Sequence, residues 1–164
     1  MKRLPWLLLP TGALAADYAS KVWILSILRY QGDSRPIIDG FFSLTLGFNK
    51  GAIFGTLHTA PEWLRVGLFS LASIAALIYF GRLFLADGTP KLERVALGLI
   101  LGGACGNGLD RILHGHVVDF LDFVFGTWHY WYFNVADSCI VVGAILFGIA
   151  LLTAKKAREV ATAE

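Results

Sequence analysis

Two carboxylates, two side-chain amides and one guanidinium stand out in an otherwise apolar chain: Asp119 and Asp137, Asn107 and Asn134, and Arg111. Asp119 lies in Val117-Val118-Asp119-Phe120, and Asp137 in Phe133-Asn134-Val135-Ala136-Asp137-Ser138. Two carboxylates held together in a low-dielectric site do not easily both ionise, so they share one proton. One can then act as a base toward water and the other as an acid toward a leaving amine, the logic of aspartic proteases. The plain alternative is structural. Asn134 would be a helix N-cap and Asp137 the third helical residue, with a helix-dipole benefit of about 0.3–1 kcal/mol.

Three further groupings carry polar atoms into apolar surroundings. Asp17 and Lys21 are one helical turn apart and can face each other, either as a functional pair or as an ion pair that fastens its helix to its neighbours. In Asn49-Lys50-Gly51-Ala52-Ile53-Phe54-Gly55 the side-chain amide of Asn49 suits gripping a peptide backbone, and Gly51 and Gly55 permit a tight turn. An ordinary Asn-x-Gly turn explains the same residues. The run Gly102-Gly103-Ala104-Cys105-Gly106-Asn107-Gly108-Leu109-Asp110-Arg111 offers small residues for close helix approach. Asn107 and Arg111 share a face with Asp110 beside them, either touching substrate or closing a packing seam through an Asp110–Arg111 pair. The glycines end the helix, so a phosphate cradle is a poor reading.

The elements that must position these groups follow from composition. Of 164 residues, 56% are hydrophobic and 16% charged, and mean hydropathy is +0.63. A soluble domain has about 45–50% apolar and about 25% charged residues, so this chain reads as one integral membrane domain. A membrane helix needs about 20 mostly apolar residues. Four stretches serve: 4–28, 63–86, 95 to about 109 in a helix reaching about 112, and 135–154. Lys2 and Arg3, then Arg82, Lys91 and Arg94, then Lys155, Lys156 and Arg158 fall on one side of these spans, which places both termini in the cytoplasm. Links 29–62 and 111–134 then face outward and carry Trp128, Tyr130, Trp131, Tyr132 and Phe133 at headgroup level. Lys2-Arg3 and Ala13-Leu14-Ala15 also imitate a cleavable signal, but cleavage would leave an odd number of spans and inconsistent basic loops.

Residues 41–48 alternate, with Phe42, Leu44, Leu46 and Phe48 on one face and Ser43, Thr45 and Gly47 on the other. That period of two predicts a half-buried strand, whose best partner is 117–125. The expected fold is therefore an all-α membrane protein of four transmembrane helices with a small extracytoplasmic β-sheet. A net charge of +2, with basic residues at the ends of apolar stretches, argues against nucleic-acid binding. Cys105 and Cys139 sit inside apolar stretches, and His58, His114, His116 and His129 lack ligand spacing, so neither a disulfide framework nor a metal centre is expected.

Five motifs in order resemble one family. They are Asp17-x-x-x-Lys21, Asn49-x-Gly51-Ala52, Gly103-Ala104-x-Gly106-Asn107-x-x-Asp110-Arg111, Val118-Asp119-Phe120 and Phe133-Asn134-x-Ala136-Asp137-Ser138, and they are similar to those of bacterial lipoprotein signal peptidases, also called signal peptidase II. The resemblance implies an aspartic endopeptidase of the bacterial cytoplasmic membrane, without cofactor or metal, its active site at the extracytoplasmic face. Its substrates would be prolipoproteins bearing a diacylglyceryl-modified cysteine, cut just before that cysteine, and cyclic peptides such as globomycin would inhibit it. Asp119 and Asp137 would form the dyad. Asn49, Gly51, Asn107, Arg111 and Asn134 would line or support the site, and Asp17, Lys21 and Asp110 would maintain it. Departures from the family pattern are Ile53, in place of a small residue, and Cys105 and Gly108, in place of aliphatic ones.

Rival chemistries lack their residues. No Gly-x-Ser-x-Gly supports a rhomboid-type serine protease, no His-Glu-x-x-His supports a zinc protease, and Leu109 breaks the Gly-x-Gly-Asp of a presenilin-type site. A small transporter using Asp17, Asp110 and Asp137 as a proton relay would space its polar residues through the bilayer. Here they gather toward the outer side, Asp17 and Lys21 excepted.

Overall fold

This computed structural model describes the backbone of residues 4–50 and 61–163. A 3-10 turn, Leu4–Leu7, leads into α1 (Leu8–Ile27), followed by β1 (Ser34–Ile38) and β2 (Phe42–Asn49). Then come α2 (Glu62–Leu85), α3 (Lys91–His114), β3 (Val117–Phe125), β4 (Trp128–His129) and α4 (Val135–Ala163). Helices α1 and α2 match the apolar stretches that announce them. Helices α3 and α4 are longer than theirs, because Lys91, Glu93, Arg94 and Arg111 continue a helix as readily as apolar residues do.

Among the described residues one helix segment, Val135–Lys155, is by itself long and apolar enough to cross a membrane, with mean hydropathy 2.4, and Ser73–Leu85 is a shorter apolar piece. Inward-facing polar groups and glycines, such as Asp17 and Lys21 on α1 and Gly102, Asn107 and Asp110 on α3, lower the average of those two helices. The outward faces of the bundle are apolar: Leu8, Val22 and Leu25 on α1, Leu71, Ile74 and Ile78 on α2, and Val141, Ile145 and Ile149 on α4 are all exposed. A helix on a water-covered surface carries polar residues there instead.

Helix α3 packs against α1, α2 and α4. The approach is close enough that glycine is required at several places, Gly102, Gly103 and Gly106 of α3 and Gly143 of α4 among them. A Cβ on Gly103 would run into the Ala136 carbonyl of α4, and one on Gly106 would stand 2.5 Å from Asp17 Oδ2 of α1. The small-residue run of α3 is thus a packing seam, as small residues in membrane helices commonly are.

The strands form one antiparallel sheet in the order β1-β2-β3-β4. The expected pairing of 41–48 with 117–125 is present, with Gly47 opposite Asp119 and Phe48 opposite Val118. Leu44, Leu46, Val118 and Phe120 pack on Ile24 and Leu28, which ties the sheet to the end of α1. Two outer strands went unanticipated. β1 contains Pro36, which an edge strand tolerates, and β4 is only two residues long inside the aromatic run. A left-handed Gly126 turns β3 back into β4.

Candidate active site

Asp119 projects from the start of β3, and Asp137 from the first turn of α4. What joins them is Asn134. Its side-chain Nδ2 donates to Asp119 Oδ1 at 2.7 Å, while its backbone N–H donates to Asp137 Oδ2 at 3.3 Å. In return the Asp137 backbone N–H donates to Asn134 Oδ1 at 2.9 Å. This reciprocal arrangement is a capping box, so the structural expectation for Asn134 and Asp137 holds alongside their proximity to Asp119. Asn134 is fully buried and Asp119 is 2% exposed.

Asn107 supplies the second link. Its Nδ2 donates to Asp137 Oδ1 at 2.7 Å, and its Oδ1 accepts from Asn134 Nδ2 at 3.1 Å and from Lys21 Nζ at 3.3 Å. Both amides are thereby oriented, with nitrogen toward carboxylate and oxygen toward donors. Arg111, one turn on, donates to the Asn107 carbonyl at 3.2 Å, and its charge acts on Asp137, Asp119 and Asp110 in that order. The Asn49 side chain, at the end of β2, hydrogen-bonds the Asp119 carboxylate. Gly51 and Ile53 lie outside the described residues.

Beneath these groups lies a buried ionic knot. Lys21 Nζ stands 2.8 Å from Asp17 Oδ2 and 2.8 Å from Asp110 Oδ2. Asp17 Oδ1 also accepts the Ala136 N–H of α4 at 2.9 Å, and Asp110 Oδ2 accepts the Val118 N–H of β3 at 3.1 Å. The expected Asp17–Lys21 ion pair is present, and it does more than neutralise itself. It bonds α1 to α3, α4 and β3 at once. The alternative of an Asp110–Arg111 pair is corrected here: Asp110 turns to Lys21, because it points into the seam while the neighbouring Arg111 points toward the two carboxylates. Cys105 is exposed and Gly108 has open space beside it, so neither departure from the family pattern disturbs the seam.

Burial pushes the Asp119 carboxyl up to about 7, the nearby Asp137 charge adds to the rise, and hydrogen bonds from Asn49 and Asn134 restrain it. A carboxyl so placed keeps a proton near neutral pH, which suits an acid in acid–base chemistry. The group opens onto a cleft of about 720 Å³ lined by Gln31, Leu46, Gly47, Asn49, Trp131 and Tyr132, among others. Sequence reasoning did not single out Gln31, Trp131 and Tyr132 as cleft residues. Their only signal was membership of the aromatic outer links. The site therefore offers two linked carboxylates, one able to hold a proton, with Asp119 on the wall of an open cleft.

The family model described as signal peptidase (SPase) II matches residues 10–153. The lipoprotein signal peptidase of Burkholderia vietnamiensis (strain G4 / LMG 22486) is 44% identical over 142 residues, which span 87% of this chain and 84% of that protein. That of Burkholderia cenocepacia (strain HI2424) is 43% identical over the same shares. A bacterial membrane enzyme solved by the in meso method at 2.3 Å resolution superposes with a TM-score of 0.77 at 34% identity, covering 91% of this chain and 88% of that one. A second, at 1.9 Å resolution, gives 0.76 at 34% identity, covering 90% and 92%.

Proposed function

The chain belongs to the signal peptidase II family of membrane aspartic proteases, and on that premise we propose that Asp119 and Asp137 are its catalytic pair. Its activity is that of a lipoprotein signal peptidase. The substrates are prolipoproteins with a diacylglyceryl-modified cysteine, and the bond cut is the one just before that cysteine. The observation that carries the assignment is the double hold of Asn134 on both carboxylates, 2.7 Å to one and 3.3 Å to the other.

In this reading Asp119 carries the shared proton and Asp137, which accepts N–H donors on both oxygens, carries the charge. Asp137 takes a proton from water as the water oxygen bonds to the scissile carbonyl carbon, and Asp119 gives its proton to the carbonyl oxygen. The C–N bond then breaks. Asp137 passes its proton to the leaving amine, and Asp119 recovers its own from the collapsing intermediate. Asn107 and Asn134 hold the two carboxylates in their separate roles. Arg111 offsets their combined negative charge. Asn49 meets the peptide backbone, and the Asp17–Lys21–Asp110 knot keeps the helices in register beneath. No metal or cofactor takes part.

The 164 residues act as one peptidase domain with four membrane spans in the bacterial cytoplasmic membrane. The apolar outer faces of α1, α2 and α4 support that count, as do the three basic groups before the first span, between the second and third, and after the fourth. Both termini are then cytoplasmic and the sheet, cleft and carboxylates extracytoplasmic. Reporter fusions near Gly88 and after Glu164 should read as cytoplasmic, and one near Asp33 as external. Globomycin-type cyclic peptides should occupy the cleft and compete with substrate.

The deciding experiment is purification in detergent and a cleavage assay on a lipidated prolipoprotein, followed by mass measurement of the product. Release of a mature chain beginning at the lipidated cysteine supports the reading. Intact substrate after prolonged incubation with folded enzyme would remove it.

A further inference from the structure

The sheet holds another buried carboxylate, one that the proposed reaction does not use. Asp122 of β3 is 1% exposed. Thr45 Oγ1 donates to its Oδ2 at 2.8 Å, and His129 Nδ1 stands 3.0 and 3.1 Å from its two oxygens. Thr45 Oγ1 is also 2.8 Å from Ser34 Oγ, so a single polar chain crosses all four strands.

His129 sits where the chain starts back toward the catalytic carboxylates. It pairs with Val124 across the hairpin, Tyr130 N donates to the Phe123 carbonyl at 2.8 Å, and Phe133 bridges to Leu121. Between these anchor points Trp131 and Tyr132 reach the cleft, and the next residue after Phe133 is Asn134. The Tyr132 ring meets the His129 ring edge-on, with centroids 6.4 Å apart. It also packs against Gly47, where a Cβ would come within 2.9 Å of Tyr132 Cδ2. Gly47 is the residue paired with Asp119. Contacts therefore run without a gap from Asp122 through His129 and Tyr132 to the backbone behind Asp119.

We propose that Asp122 and His129 form a positioning latch for the cleft. The pair fixes the return segment and sets Tyr132 against Gly47 as one cleft wall. Strength alone would not call for such a pair, since the His129 side chain is half exposed and a polar pair at such a site contributes little. Direction does call for it: a hydrogen bond fixes the angle of the His129 ring, and Tyr132 packs against that ring. The latch acts on how the peptide is gripped, not on the proton transfers, and it rests on the catalytic reading above.

The test uses the full chain in detergent with a lipidated prolipoprotein, measuring kcat, KM and thermal stability for each variant. His129→Ala should raise KM between about tenfold and a hundredfold, the scale of a misplaced binding wall, with kcat much less affected and Tm nearly unchanged. Tyr132→Ala should do the same. The double variant should be no worse than Tyr132→Ala, because both changes remove the same wall. His129→Asn, which keeps a donor near the Nδ1 position, should recover most of the loss. Unchanged KM in His129→Ala would overturn the latch, as would losses that multiply in the double variant or that follow Tm. Asp119→Asn is assayed alongside. If it keeps its turnover, the catalytic reading falls and the latch with it, whereas an inactive Asp119→Asn beside a normal His129→Ala removes the latch alone.

Discussion

Asn134 Nδ2 lies 2.7 Å from Asp119 Oδ1. The same residue is the N-cap of α4 and accepts the Asp137 backbone N–H at 2.9 Å. Helix start and candidate active site are therefore built from one set of atoms, and the competition between capping and chemistry suggested by Phe133-Asn134-x-Ala136-Asp137 dissolves. The cap fixes where Asp137 sits, and the second use of the cap residue fixes where Asp119 sits relative to it. Asp17 adds to the same helix start by accepting the Ala136 N–H, so two of the first N–H groups of α4 have side-chain partners.

Asp119→Asn and Asp137→Asn should each abolish cleavage while the protein stays inserted and folded. An acid and a base are both required, and general acid–base assistance contributes about 10²–10⁴-fold per group. Asparagine preserves volume and one acceptor oxygen at each position, so Asn134 keeps a partner. Activity should also survive treatment with EDTA and phenanthroline. Near wild-type turnover in either folded variant would end the dyad assignment, and zinc-restored activity after chelation would end the metal-free mechanism.

The Asp119 carboxyl, raised to about 7 by burial and by the Asp137 charge, predicts an alkaline limb. Below that value Asp119 holds its proton, and above it the carboxyl is ionised and no acid remains. The kcat/KM profile should therefore fall as pH rises through about 7, with an apparent value that belongs to the pair. Stability has the same sign. The unfolded carboxyl titrates near 3.8, so folded protein binds the extra proton between 3.8 and about 7, and stability declines with rising pH across that window. At pH 8 the ionised group costs roughly 4 kcal/mol by the conversion of 1.36 kcal/mol per unit. Asp119→Asn should then raise Tm at pH 8 and lose that advantage toward pH 4. A profile flat from pH 6 to 9 would contradict the environment assigned to Asp119.

Lys21→Met should destabilise the fold by about 3–5 kcal/mol, the penalty for stripping a buried ionic group of its partner. Here two carboxylates, Asp17 and Asp110, lose their counter-charge together. Adding Asp17→Asn to Lys21→Met should recover part of the loss, because one stranded charge is removed. Thermal unfolding in detergent would measure both, and additive losses in the double variant would show that the knot is not the source of the effect.

Much of this was legible because the relevant contacts are local or periodic. The i,i+4 spacing of Asp17 and Lys21, the alternation of Phe42 to Phe48, and the three-residue spacing of Asn134 and Asp137 each imply their geometry with little help from the rest of the chain. Contacts across the bundle were not legible. Lys21 bonds Asp110 rather than leaving it to Arg111, since the rotation of α3 about its axis is set by Gly103 and Gly106 against α4 and α1. β4 escaped notice because two residues carry no period, and its aromatic neighbours read equally well as a headgroup belt. Apolar length predicts four spans, whereas among the described residues one segment, Val135–Lys155, is by itself long and apolar enough, and α1 and α3 spend much of their length on inward polar groups and glycines.

The last prediction is that the diacylglyceryl group is required for efficient cleavage. Asp119 opens onto a cleft whose walls include Trp131 and Tyr132, and Phe125, Trp128 and Tyr130 are exposed on the same hairpin and return segment. Aromatic side chains of this kind sit at headgroup depth. A signal-peptide junction reaching the cleft from water would pay the full cost of immobilisation, whereas an acylated one is already held at the bilayer surface. Each buried CH₂ contributes about 0.8 kcal/mol, so two acyl chains anchor a substrate far more firmly than one. The anchor also fixes depth, and the bond beside the lipidated cysteine arrives repeatedly at the level of the two carboxylates. The measurement is kcat/KM for one prolipoprotein with and without its diacylglyceryl group in identical micelles. The unmodified form should be poorer by at least about a hundredfold, which is under 3 kcal/mol and well within what two chains supply. Equal efficiencies would leave the residues flanking the scissile bond as the sole source of selectivity and would sever the link between hairpin depth and function.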